Sequence, residues 1–367
     1  MIDTVVLTIP VLRENILAPE RFSPSANGLF KEPFYKGYTP CKLNPSKEQK
    51  DEGRYLPRLT LSSRPKKGNW EVSLRIEFSA PKILFGNNLK EVDDKDYKEL
   101  ISELCFKLFT MGIKLDQEQI EKASVSSIHF CKNILLEPYQ SCSMVINELE
   151  RYGNYNEWLD LDKTSFRNGG HILHLHTDRW EFVVYDKLRD LQRAKLGERR
   201  SVDKDNYSQL DIFNDDKSKQ EILRLELRIN SKIKIATLLS SVGCGMALKN
   251  ITFRNIFKKV ISRRLLIAFL RKIKIMRSIS NQNTSNSNIL SICESIKKSL
   301  PLITDSEIMK LTFGFIFINE YGIKAFKRYM QWNTKKAYKW NRFYKKLEKI
   351  YTVCNNRDTL EIIESKI

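Results

Sequence analysis

As far as Ile229 the chain mixes stretches in which every second residue is apolar with stretches whose apolar residues fall three or four apart; beyond Ile229 only the second pattern remains. Alternation marks strands with one packed face, and the wider spacing marks helices. Residues 2–9, 56–63 and 70–79 read as strands, the last with Val72, Leu74, Ile76 and Phe78 on one face. The stretch 10–49, rich in Pro, Gly, Ser and Lys, reads as loop. Residues 79–88 turn the chain out of the third strand, and 93–112 carry Leu100, Ile101, Leu104 and Leu108 at helical spacing, with Gly112 at the end. Residues 125–136 read as a core strand with His129 in the middle, and 139–152 as a helix.

Most of the usable chemistry lies in residues 171–187, which hold three of the four histidines, a tyrosine and a lysine. Alternation on both sides of Asp178-Arg179 predicts a β-hairpin. With a loop of two or four residues, His174, His176, Tyr185 and Lys187 share a face, because directly opposed strand residues do. His174-Leu175-His176 can offer two imidazoles to one divalent metal, since residues two apart leave a strand on the same side. The same pattern also fits a wet outer strand that happens to carry histidine. After Lys187 come a polar helical segment, a charged loop at 197–219 and the strand 221–229, in which Leu223, Leu225, Leu227 and Ile229 face one way and Arg224, Glu226 and Arg228 the other. Such strictness predicts one packed and one polar side. The polar side fits an exposed salt-bridge ladder, worth little. If the strands adjoin, it also fits a cluster of His129, Glu226 and the hairpin histidines, a donor set suited to Mg or Mn.

Charge changes the picture more than composition does. Hydrophobic content of 41% and a mean hydropathy of −0.41 fit a soluble protein. No apolar run approaches the roughly eighteen residues of a membrane helix, and Met1-Ile2-Asp3 opens a strand rather than a leader, so a cytoplasmic location is expected. Seven cysteines without C-x-x-C spacing argue against a disulfide framework or zinc ribbon. The net charge of +19, however, asks for a polyanionic partner, nucleic acid before membrane. It is also unevenly placed. From Leu227 to Cys293 there is no Asp or Glu, where average usage would place about eight, while Lys258, Lys259, Arg263, Arg264, Arg271, Lys272 and Lys274 fall inside. Residues 231–241 and 252–277 read as helices, the second with an apolar and a cationic face suited to phosphate. Residues 278–288 are polar and of low complexity, hence a linker. In the last stretch Tyr321, Tyr329, Trp332, Tyr338, Trp340, Tyr344 and Tyr351 alternate with lysines, as base-stacking surfaces and helical cores both do.

An ordered set of segments resembles the gene II/gene X replication family of filamentous phages and related plasmids. It comprises Met1-Ile2-Asp3-Thr4-Val5-Val6-Leu7, Ile76-Glu77-Phe78-Ser79-Ala80-Pro81-Lys82 with Gly86-Asn87-Asn88, Ile128-His129-Phe130-Cys131-Lys132-Asn133, Tyr185-Asp186-Lys187 and Leu223-Arg224-Leu225-Glu226-Leu227-Arg228. The resemblance covers roughly residues 1–250; the final third is similar only in its basic, helical character. It implies a rolling-circle initiator that binds a duplex origin, nicks one strand through a tyrosine with a divalent metal, Mg or Mn, and rejoins it. Lys187 would stabilise the developing charge or help deprotonate the tyrosine. Implied partners are origin DNA, the displaced single strand, and the host helicase and polymerase. Where phage members commonly carry an acid, this chain has His129, which changes the ligand type. Two tyrosines stand open as nucleophile: Tyr185 in Tyr-Asp-Lys, and Tyr321 in Tyr-Gly-Ile-Lys. Beside the resemblance, Tyr185, Lys187, His129 and Glu226 gain weight over His174 and His176. Arg224, Arg228, Lys258, Lys259, Arg263, Arg264, Arg271, Lys272 and Lys274 are the expected nucleic-acid contacts. The other readings are a non-catalytic DNA-binding replication factor and an RNA-binding protein.

The expected architecture is α+β: a central antiparallel sheet with helices on one face and the active site on the other, followed by a basic all-helical region. The expected segments are 1–245 for the nicking domain, 246–277 for the basic DNA-binding helices, 278–288 for the linker and 289–367 for the helical C-terminal region.

Overall fold

The structure, a computed structural model, describes the chain except residues 31–39, 47, 50–52, 67–68, 137–140, 151–162, 168–171, 197–220, 285–292, 295, 298–299, 301, 331–337, 339–341, 344 and 347–362. The strands are β1 Ile2–Pro10, β2 Cys41–Leu43, β3 Arg58–Lys66, β4 Asn69–Ser79, β5 Ser124–Leu135, β6 Lys163–Arg167, β7 Ile172–His176, β8 Trp180–Asp186 and β9 Ile222–Ile229. The principal helices are α1 Ala80–Phe85, α2 Tyr97–Thr110, α3 Gln117–Glu121, α4 Cys142–Glu150, α5 Lys187–Leu196, α6 Lys232–Ser241, α7 Phe253–Ile256, α8 Lys259–Thr284 and α9 Asp305–Tyr329. The fold is α+β, and its paired strands run antiparallel.

Two compact units share the chain. The first holds Met1–Tyr139, Arg179–Glu181 and Tyr185–Leu266; the second holds Gln140–Asp178, Phe182–Val184 and Ile267–Ile367. Within the first, the strand order is β2-β3-β4-β1-β5-β9, followed by the two ends of β8. Opposed residues share a face, so the register Phe130↔Leu227 and Ile128↔Ile229 lines up an apolar face, while His129↔Arg228, Cys131↔Glu226 and Asn133↔Arg224 line up a polar one. Helices cover the apolar face: Phe78 of β4 meets Phe253 of α7 edge-on at 5.8 Å. Ser262 of α8, fully buried, donates to the Met1 carbonyl at 2.9 Å.

Two local devices set the polar face. β1 shifts register between Ile2, opposite Phe130, and Val5, opposite Ile128. Both face the apolar side although three residues apart, so a bulge reverses the alternation between them and turns Asp3 to the polar side. At the end of β4, α1 closes on Gly86 in the left-handed region (φ 70), and the chain after it brings the Asn88 carbonyl to Arg224 of β9.

In the second unit, β6 and β7 pair with His174 opposite Ser165 and His176 opposite Lys163. Phe182 stacks on Phe269 at 5.4 Å and 16°. Val145, Ile146 and Leu149 of α4 are buried, as are Leu311 and Phe326 of α9.

Five expectations are corrected. β2, only Cys41–Leu43, falls in the stretch 10–49 expected to be loop, because three residues are too few to show a period. β6 falls in a stretch with no assigned element; Lys163-Thr164-Ser165-Phe166-Arg167 has too few apolar residues to alternate visibly. The helix expected over 252–277 is two, broken at Phe257-Lys258, and the second continues to Thr284 through residues expected to be linker. Ser, Asn and Gln cost a helix only tenths of a kcal/mol each (about 0.7 at most), so propagation from a well-packed start outlasts their bias. Lys187 begins α5 instead of extending the strand, because Asp186 Oδ1 accepts from the backbone N–H groups of Leu188 and Arg189, both at 3.0 Å, and so caps the helix. The polar side of β9 is mostly buried instead of open. The charged loop 197–219, residues 285–288 of the linker, Trp332, Trp340, Tyr344 and Tyr351 lie outside the described residues. No helix among the described residues is long and apolar enough to cross a membrane.

Candidate functional site

Glu226, at the centre of β9, is 3% exposed and gathers donors from three strands. Tyr185 Oη donates to its Oε2 at 3.0 Å. His129 Nδ1 lies 3.2 Å from Oε1. Arg228 reaches Oε1 through Nε at 3.0 Å and Oε2 through Nη2 at 3.3 Å. Burial by itself would push the carboxyl's pKa up. Arg228, the His129 hydrogen bond and Arg224 outweigh it and hold the group well below its ordinary range, so Glu226 is a carboxylate. The cluster opens toward solvent through Arg228, 33% exposed, which also reaches Glu181 at 3.4 Å, and through His129.

Arg224 forms the closed end. Its Nη2 donates to Asp3 Oδ2 at 2.7 Å, and its Nη1 donates to Asn133 Oδ1 at 3.2 Å and to the Asn88 carbonyl at 2.9 Å. Ser79 Oγ donates to the other Asp3 oxygen at 2.7 Å. Burial raises the Asp3 pKa, but Arg224 overcomes it and the net shift is downward. At 1% exposure, Arg224 has no surface with which to meet a phosphate. Its expected role as a nucleic-acid contact is therefore corrected to that of a buried counter-charge. Asp3, Ser79, Asn88, Asn133 and Glu181 were missed by sequence reasoning; a lone acid in an opening strand that is otherwise uncharged was the available signal for Asp3.

Tyr185 is buried, and burial together with the Glu226 charge raises its hydroxyl well above the ordinary tyrosine value. Lys187, almost fully buried, holds its Nζ 6.0 Å from the Tyr185 ring centre and 3.6 Å from Asp190 Oδ2. Tyr321 falls within α9, in the second unit.

His174 and His176 lie in the second unit on the half-buried face of β7, with Leu173 and Leu175 buried on the other. Their ring centres are 5.9 Å apart, and His176 Nδ1 is buried without a hydrogen-bond partner. Two imidazoles on one face, one with a buried and unused nitrogen, fit a divalent metal. His129 and Glu226 fit one poorly: both carboxylate oxygens are occupied, and two guanidinium groups already compensate the charge.

Of the expected cationic contacts, Lys258, Lys259, Arg263, Arg264 and Arg271 are exposed and Lys272 is half-buried. Lys259 pairs with Asp93 at 3.1 Å and Arg271 with Glu364 at 2.7 Å. Lys274 lies on α8. The described cysteines, Cys41, Cys105, Cys131, Cys142, Cys244 and Cys293, are free thiols.

No curated protein and no solved structure matches the chain. A family model does: residues 1–242, about two thirds of the sequence, match the N-terminal part of the phage replication-associated protein encoded by gene II. The match takes in β1 to β9 and every charged group of the Glu226 cluster, and the chain belongs to this family of filamentous-phage replication proteins.

Proposed function

We propose that the protein initiates rolling-circle replication by nicking one strand of a duplex origin and rejoining it, with Tyr185 as nucleophile. The observation that carries this reading is the 3.0 Å hydrogen bond from the Tyr185 hydroxyl to a carboxylate held ionised, the geometry of a nucleophile beside its general base. The raised pKa keeps the hydroxyl protonated at neutral pH, so its proton leaves only as the oxygen attacks. In that step the tyrosine oxygen bonds to phosphorus and the bond to the 3′ oxygen breaks. The tyrosine proton passes to Glu226, and the 3′ oxygen leaves as a hydroxyl after taking a proton from water. Rejoining is the reverse. Lys187, beside the ring, offsets the negative charge that develops on the phenolic oxygen. Arg228 and His129, at the open side, would meet the scissile phosphate. Within the second unit, His174 and His176 would hold a divalent ion, which would supply positive charge for phosphate chemistry. The exposed cations of α8 and of the turn before it, Lys258, Lys259, Arg263 and Arg264, would bind the duplex backbone.

The test is supercoiled plasmid carrying the cognate origin, incubated with the protein and Mg or Mn, or with chelator. Open circles that form with metal support the reading; no nicking with either metal leaves a non-catalytic DNA-binding factor.

A further inference from the structure

The polar network has a second outlet. Residues of β1, β3, β4 and α1, with the turns beside them, line an open cavity of about 160 Å³ in the first unit, among them Asp3, Tyr55, Arg58, Glu77, Lys82 and Asn88. That is well below the roughly 300–1,000 Å³ of sites for drug-sized ligands and suits one small ring system. Its interior is of acceptor type. Asn88 Oδ1 is buried with no hydrogen-bond partner, while the carbonyl of the same residue is fixed by Arg224. A buried acceptor left unpaired is costly, and a ligand bringing a donor to it removes that cost. The Asp3 carboxylate is the second acceptor. Each of its oxygens takes one donor from the protein, Ser79 or Arg224, and retains a further lone pair. The lining also carries cations: Arg58, ion-paired with Glu77 at 3.6 Å and with its side chain 39% exposed, and Lys82, whose Nζ lies 5.8 Å from the centre of the Tyr55 ring.

We propose that this cavity takes one unpaired nucleotide of the DNA strand, with a guanine base edge against Asp3 and Asn88 and the phosphate at Arg58 and Lys82. Acceptors inside and cations toward solvent reproduce the polarity of a nucleoside monophosphate. Guanine presents two adjacent donors, its ring N–H and its amino group, to the two acceptors of the lining. Thymine presents one donor flanked by carbonyl oxygens, which the Asp3 carboxylate repels. The proposal rests on the reading of the chain as one that acts on DNA, and adds a position at which the sequence of an opened strand is read by its base edge.

The test is equilibrium binding of dGMP, dAMP, dCMP and dTMP to the full chain, to Asn88→Leu and to Lys82→Gln. The expected result is dGMP at least tenfold tighter than dTMP. Asn88→Leu, with an unchanged unfolding midpoint, removes that preference; Lys82→Gln weakens all four nucleotides alike and preserves it. Equal binding of the four, no binding at millimolar concentration, or a preference that survives Asn88→Leu overturns the proposal. No cleavage is read, so the two readings fail separately. A chain that prefers dGMP and nicks nothing contradicts the nicking reading alone, and one that nicks without base preference here contradicts this one alone.

Discussion

Arg228 holds Glu226 with two nitrogens, Nε at 3.0 Å and Nη2 at 3.3 Å, and the carboxylate so held is the one that accepts the Tyr185 hydroxyl. A buried charge this closely matched is costly to break from one side. Glu226→Gln leaves Arg224 and Arg228 without their shared counter-charge and is expected to destabilise the chain by about 3–5 kcal/mol, read as a shift in the denaturant midpoint.

The same group sets an acid limb. The folded-state pKa of Glu226 lies below its ordinary value of 4.5, so its contribution to stability is complete above that value and is lost as pH falls through the folded pKa. Asp3 is shifted in the same direction. Stability is therefore expected to drop below about pH 4.5, and the drop should be shallower in Glu226→Gln than in the wild type. Denaturant titrations over this range check it; parallel curves would remove Glu226 from the account.

Binding to DNA separates buried from exposed arginines. Arg263→Ala with Arg264→Ala is expected to weaken binding to every sequence and to lower the slope of log affinity against log salt by about 0.9 for each phosphate no longer neutralised. Arg271, paired with Glu364, should contribute less than either. Arg224→Met should leave the slope of the folded protein unchanged and instead destabilise it by about 3–5 kcal/mol, through an unpaired Asp3. An unchanged slope in the double variant would dissociate these cations from DNA.

For the histidines of β7, titration of Mn into the protein is expected to show a site that weakens at least about tenfold in His174→Ala and in His176→Ala. Binding that neither substitution alters would place the metal elsewhere.

Much of the sheet was legible from alternation: β9 and β4 each have one apolar face and were plain on that ground alone, whereas β6 has too few apolar residues to show a period. What alternation cannot carry is whether the polar face is wet. Arg224 and Glu226 fitted an exposed ladder or a ligand cluster equally in the sequence; they are buried because Asp3, 221 positions earlier, and Asn133 on β5 supply partners that only the folded register brings near. Asp3 itself needed a bulge to reach that face, and a bulge has no period. Lys187 was misplaced for a related reason: the capping carboxylate of Asp186 outweighs the continuing alternation. His129 and Tyr185 were brought to Glu226 as the sequence suggested. In the His174–His176 pair, which sequence reasoning ranked behind them, His176 Nδ1 is buried without a partner, whereas His129 faces a saturated carboxylate.

The nucleophile is the central claim, and its most direct measurement is the peptide that carries DNA. Origin DNA labelled 3′ to the nick, incubated with the protein, digested with protease and analysed by mass spectrometry, is expected to yield a 5′-phosphate linked to the peptide containing Tyr185. The adduct should be absent in Tyr185→Phe and retained in Tyr321→Phe. An adduct on Tyr321, or one that survives Tyr185→Phe, would contradict the account.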